Sequence, residues 1–207
     1  MSYKKAEECG KRLGRSSQFN VLMAKGLLLM KEKKYKEALN EFKDASKVLP
    51  NNKEITFYKS SAMLMLFLHN SRKKLNLGID KEYFYAILKE YDAAIKTHKF
   101  DHFLCFYRGL VHLYIKNFDK AINDFSKAIK NNDIAYSKYH MYMGLAYGCA
   151  NVLSEAMKQF TIAIELNEDY LLAYYNRGKC AYLQGDVDQA FADFQKLPLI
   201  RPVIFFK

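Results

Sequence analysis

Four times along this chain a glycine is followed twelve positions on by alanine, four later by phenylalanine, and three later by a small or apolar residue. The sets are Gly26, Ala38, Phe42 and Ala45; Gly109, Ala121, Phe125 and Ala128; Gly144, Ala156, Phe160 and Ala163; and Gly178, Ala190, Phe194 and Leu197. The steps from Gly144 to Gly178 and from Gly26 to Ser60 are both 34 residues, and that from Gly109 to Gly144 is 35. A fixed period of this length means one supersecondary unit built repeatedly. Such a unit cannot bury its apolar face alone, so stacking of neighbours must supply the core.

The spacing also says what the unit is. Around Gly109 the apolar residues Phe106, Leu110, Leu113 and Tyr114 recur at helical intervals, the polar break Lys116-Asn117 follows, and a second amphipathic helix starts near Phe118. Turns of this kind are expected near Lys33, Asn117, Asn151 and Gly185. The glycine and the first alanine let the two helices of a hairpin approach closely. The phenylalanine and the last small residue are expected to face the next hairpin.

This pattern resembles the 34-residue tetratricopeptide repeat. Tyr174-Tyr175-Asn176-Arg177-Gly178 reads like a common first-helix segment of that family, and Pro50 and Pro202 stand where its second helix often ends. The family's frequent first-helix tryptophan is replaced by Leu22, Thr56, Cys105, His140 and Tyr174. The resemblance covers residues 19–202 and implies an all-α fold, an α-solenoid of antiparallel helix hairpins wound as a right-handed superhelix. The hairpins fall at about 19–52, 53–101, 102–136, 137–170 and 171–202. Residues 1–18 form a basic segment or a leading helix, with Ala6, Cys9 and Leu13 at helical spacing. The second unit, 49 residues, carries an excess near 71–81, where Leu75, Leu77 and Ile79 either pack back on the hairpin or meet a partner. The apolar tail 203–207 leaves three options open: folding back, pairing with another chain in self-association, or belonging to a larger parent protein.

In the family the first helices line a concave groove that takes a peptide or a helix of a partner protein. Carried over by position, the groove is lined by Met23 and Leu27, then by Phe57 and Tyr58. The third hairpin adds Phe103, Phe106, Tyr107 and Leu110, and the fourth Met141 and Tyr142. The fifth adds Leu172, Tyr175, Asn176 and Lys179. The members that bind chaperone tails hold a carboxylate with Lys, Arg and Asn at such places. Here those places are mostly apolar, so that carboxylate-clamp type is disfavoured. An apolar channel rich in Tyr and Met suits an apolar peptide or helix, because aromatic rings supply area and methionine adapts.

Charge offers a rival reading. The net charge is +11, yet residues from Ile134 onward carry seven basic and seven acidic side chains, so the excess lies in the first 133 residues. A basic adaptor would use this half to contact RNA, acidic protein tails such as those of tubulin, or anionic lipid. Lysine outnumbers arginine 27 to 6, whereas specific nucleic-acid contacts favour arginine, so nucleic acid is the weaker partner. His98, His102 and Cys105 have helical spacing, but they straddle a helix junction and lack a fourth ligand, so no metal site is expected. No phosphate loop, G-x-S-x-G or H-E-x-x-H occurs; neither an enzymatic activity nor a cofactor is expected. No apolar stretch is long enough to span a bilayer, and four scattered cysteines without CxxC read as reduced, mostly buried thiols of an intracellular protein. A cytoplasmic or cytoskeleton-associated scaffold is expected.

Overall fold

The structure, a computed structural model, describes residues 14–50, 52–73, 81–99, 101–132 and 134–198. Among these residues there are ten α-helices and no strand. They are α1 Arg15–Lys31, α2 Tyr35–Val48, α3 Lys53–Lys73, α4 Lys81–Thr97 and α5 His102–Tyr114. Then come α6 Phe118–Lys130, α7 Ser137–Cys149, α8 Leu153–Leu166, α9 Leu171–Gln184 and α10 Val187–Gln195. The chain forms two compact units, Met1–Tyr107 and Arg108–Lys207. The leading segment 1–13, the insertion residues Leu75, Leu77 and Ile79, and the tail 203–207 lie outside the described residues.

Four of the hairpins close in the same way. Lys33, Lys116, Asn151 and Gly185 take positive φ of 60°, 63°, 62° and 84°. The amide that follows each of these residues turns back across the helix end: Lys34 donates to the Leu29 carbonyl, Asn117 to His112, Val152 to Tyr147 and Asp186 to Ala181. This i to i−5 bond is the Schellman closure, which satisfies carbonyls that a helix end leaves open. Only one of the four turns uses glycine, and lysine holds the left-handed position twice at a steric cost.

The second helices are amphipathic in the ordinary sense. In α6, Ala121, Phe125 and Ala128 are fully buried, Asp119 stands in the first turn, and Lys127 and Lys130 stand in the last, where they oppose the helix dipole. The first helix α7, by contrast, has apolar residues all round. It packs on both α6 and α8, and buries Tyr139, Met141, Gly144 and Ala146.

The core has one repeated joint. A Cβ on Gly109 would lie 2.7 Å from Cε1 of Phe125, and one on Gly144 would lie 2.6 Å from Cε1 of Phe160. The phenylalanine ring therefore rests edge-on against the glycine sixteen residues earlier, inside its own hairpin. This corrects the expectation that the aromatic faces the next hairpin alone. It does both: Phe42 also stacks on Tyr58 at 5.7 Å, and Phe125 meets Tyr142 at 6.3 Å.

The irregular hairpin solves the joint differently. Ser60 stands in the glycine's place and Tyr91 in the phenylalanine's, both essentially inaccessible to solvent. Burial pushes the Tyr91 phenol far up, partly offset by the Ser61 and Ser60 hydroxyls beside it. Part of the extra length is helix, since α3 runs 21 residues against 13 for α5 and α7.

Candidate partner-binding face

The expected groove residues divide by depth. Met23, Phe106 and Met141 are buried in the hairpin core. Met23 packs with Leu39 and Phe42, and Met141 with Ala156 and Phe160; burial takes Met23, Phe106 and Met141 out of the groove lining expected from sequence. Tyr58, Tyr107 and Tyr142, at equivalent repeat positions, are half-buried, as are Phe57, Leu110 and Asn176. Leu27, Phe103, Leu172, Tyr175 and Lys179 are exposed.

In the first unit, four of these residues come together. Phe57 and Tyr58 of α3 and Phe103 and Tyr107 of α5 line one cleft of about 360 Å³ with Lys53, Glu54, Asp101 and Leu104. Its apolar side is an aromatic mosaic: Phe57 meets Tyr107 edge-on at 4.6 Å and Tyr58 edge-on at 4.8 Å. Such T-shaped contacts fix the orientation of the rings at modest energetic gain.

The rim is polar and ordered. Lys53 Nζ donates to Asp101 Oδ2 at 3.0 Å, while Asp101 Oδ1 accepts from the Leu104 amide at 3.1 Å. Asp101 thus caps α5 and anchors α3 through one carboxylate. Burial alone would raise its pKa, but the Leu104 amide and the Lys53 ammonium outweigh it and hold the carboxyl below its usual range.

In the second unit the same face carries Tyr142 against Phe125, and Tyr175 against Phe194 at 6.2 Å. Asn176, at the repeat position of Tyr58, Tyr107 and Tyr142, is turned to its own helix and donates to the Leu172 carbonyl at 2.7 Å. His102 stacks near Phe103 at 4.1 Å and Cys105 is buried. Among the described residues no three His, Cys, Asp or Glu side chains group in a way that could hold a metal ion.

The repeats also carry a set of ion pairs that the apolar pattern does not reveal. Arg108 clasps Asp124 through Nε at 2.7 Å and Nη2 at 2.5 Å, and Arg177 clasps Asp193 at 2.9 and 2.6 Å. Lys25 pairs with Glu41 at 2.7 Å and Lys59 with Glu90 at 2.6 Å at the equivalent positions. Each pair sits one residue before the glycine (or Ser60) and one before its aromatic, so it locks the same joint. Asp124 and Asp193 are almost wholly buried, which makes a bidentate partner necessary. The Asp193 carboxylate holds the Arg177 guanidinium pKa above its ordinary value, against the opposing effect of burial. Charged residues sixteen apart, in the glycine–phenylalanine register, were the available signal.

Comparison with known proteins places this geometry. Residues 153–201 match the tetratricopeptide repeat family model. The human protein O-mannosyl-transferase TMTC1 is 23% identical over 197 residues, which is 92% of this chain, and the chain spans about a fifth (20%) of that relative's length. The solved structure of MamA from Desulfovibrio magneticus RS-1 aligns with a TM-score of 0.72 at 16% identity, over 86% of this chain and 92% of the other. A tetratricopeptide repeat protein from Parabacteroides merdae gives 0.67 at 18% identity, over 86% and 63%. At these identities structural likeness establishes the fold, and the matched segment supplies the repeat: the chain has the all-α tetratricopeptide-repeat fold, with residues 153–201 a repeat of that family.

Proposed function

We propose that the chain is a non-enzymatic interaction scaffold that holds an apolar peptide or helix of a partner protein on its first-helix face. The aromatic cleft of Phe57, Tyr58, Phe103 and Tyr107 carries this reading. Its rings are held by their neighbours, so little side-chain freedom is lost on binding. A bound apolar side chain meets aromatic faces, and the Lys53–Asp101 rim offers polar groups to the ligand backbone. Exposed Phe103 and half-buried Tyr107 are the anchors of this site. The transferase activity named for the human relative is not assigned to a chain that spans a fifth of it.

Among the described residues no helix is long and apolar enough to cross a membrane. The scaffold reading places the chain in the cytoplasm, with attachment to the cytoskeleton as one setting for it. The test is affinity capture from lysate with mass spectrometry, repeated across a salt series. Apolar recognition predicts partners retained as salt rises. Partners that wash away steeply with salt would instead favour the basic adaptor acting through Lys31, Lys33, Lys34 and Lys36.

A further inference from the structure

The repeat shows what each of its faces normally touches, and two faces in this chain lack that neighbour among the described residues. In each compact unit a later first helix buries a pair of residues seven apart against the preceding hairpin. In the first unit Ile55 and Ala62 of α3 lie in one cluster with Phe42 and Ala45 of α2. In the second, Ala173 and Cys180 of α9 lie with Phe160 and Ala163 of α8. The same two positions in α1 are Val21 and Leu28, and Leu28 is 39% exposed where its counterparts Ala62, Val111, Ala146 and Cys180 are buried.

The opposite face is open on α10. Phe194 is 38% exposed, whereas Phe42, Phe125 and Phe160 are at most 1%. Phe191 is 64% exposed against 7% for Leu39 and 8% for Leu88, its counterparts in the first unit. Val187, at 62%, stands where Phe84 is inaccessible. Aromatic and branched side chains bared together exceed the scattered apolar exposure usual on a monomer. The signs of charge also match. Helix α1 carries Arg15 and Lys31 and no acidic residue, while exposed Asp186 and Asp188 open α10.

We propose that the α10 face takes the Val21–Leu28 stripe of α1 from a second copy of this chain, repeating between molecules the joint that α8 makes with α9. The contact is head-to-tail, so each copy keeps one donor and one acceptor end and the assembly extends by addition. It lies apart from the aromatic cleft and does not depend on the partner-binding reading.

Sedimentation velocity on the full chain over a roughly hundredfold concentration range tests it, because mass action makes assembly concentration-dependent. The average mass is expected to rise with concentration. Leu28→Glu and Phe191→Glu are each expected to sediment as monomers with unchanged helicity. An equimolar mixture of the two is expected to give a dimer that grows no further, since each variant retains the end that the other lacks. Should Leu28→Glu lose helicity, Leu28→Gln takes its place. A wild-type chain that stays monomeric at every concentration overturns the proposal, whether the faces are then covered by the chain's own ends or by another protein. So does a variant that still self-associates, or a mixture that fails to pair.

Discussion

Alanine at Gly144 measures the joint on which the repeat depends. Its Cβ would lie 2.6, 2.7 and 3.0 Å from Cε1, Cδ1 and Cζ of Phe160. Carbon atoms rest at about 3.5–4.0 Å, so three ring atoms would be overlapped by roughly 1 Å. Phe160 is 1% exposed and enclosed by its cluster, so the ring cannot step aside freely. Overpacking of this kind costs about 1–3 kcal/mol. Alanine regains about 1 kcal/mol over glycine in a helix interior, which leaves a net loss of up to about 2 kcal/mol. Gly148 in the same helix is the control: a Cβ there meets nothing nearer than 3.8 Å. Gly148→Ala should therefore be neutral or stabilising by up to about 1 kcal/mol. In a Phe160→Leu background the ring atoms are gone, and Gly144→Ala should lose most of its cost, a coupling of at least about 1 kcal/mol. Urea denaturation followed by far-UV circular dichroism reads these differences, compared between variants of equal m value because a repeat array can unfold in parts. If Gly144→Ala and Gly148→Ala shift the midpoint alike, or if the cost survives in Phe160→Leu, the joint is not what sets the spacing.

Three further outcomes follow from particular contacts. Arg108→Met should destabilise by about 3 kcal/mol by stranding buried Asp124, whereas Arg108→Met with Asp124→Gln should recover most of it, since the array already places Met143 and Gln159 at those positions; denaturation midpoints of the two decide. Lys116→Gly should stabilise by about 0.5–1 kcal/mol by relieving the left-handed turn at φ 63°, seen as a higher melting temperature. The Asp101 carboxylate, its pKa depressed in the folded state, stabilises above its unfolded value near 4 and loses that contribution as pH falls through the folded one. Asp101→Asn keeps a capping oxygen but loses the ion pair with Lys53; it should cost about 0.2–1 kcal/mol at neutral pH and little in strong acid, read from melting curves at several pH values.

The architecture was legible because its cause is local and repeated. Glycine, alanine and phenylalanine at fixed intervals report helices that must approach closely, and the turns at Lys33, Asn151 and Gly185 fall where the polar breaks put them. Depth was less legible. Phe106 and Tyr107 are adjacent and both aromatic, yet one is core and the other lines the cleft, because a rotation of about 100° about the helix axis separates them. Hydropathy cannot rank such neighbours, and a first helix packed on two sides, such as α7, has no apolar stripe to orient it. The ion pairs were missed for the opposite reason: Asp124 and Asp193 read as solvated surface charge until the arginine sixteen residues earlier is placed against them. The same step of sixteen joins Lys25 to Glu41.

We propose that aromatic anchors on the first-helix face carry recognition. The most direct test of this proposal is the equilibrium affinity of a partner captured on the wild-type chain for two variants at physiological salt. Tyr107→Ala removes a cleft wall held by Phe57, and Lys33, Lys34 and Lys36 to Glu reverses the basic patch. Tyr107→Ala is expected to weaken binding by about 2 kcal/mol, roughly thirtyfold, with helicity kept. The lysine reversal is expected to leave affinity nearly intact. Binding abolished by the lysine reversal and untouched by Tyr107→Ala would contradict the proposal.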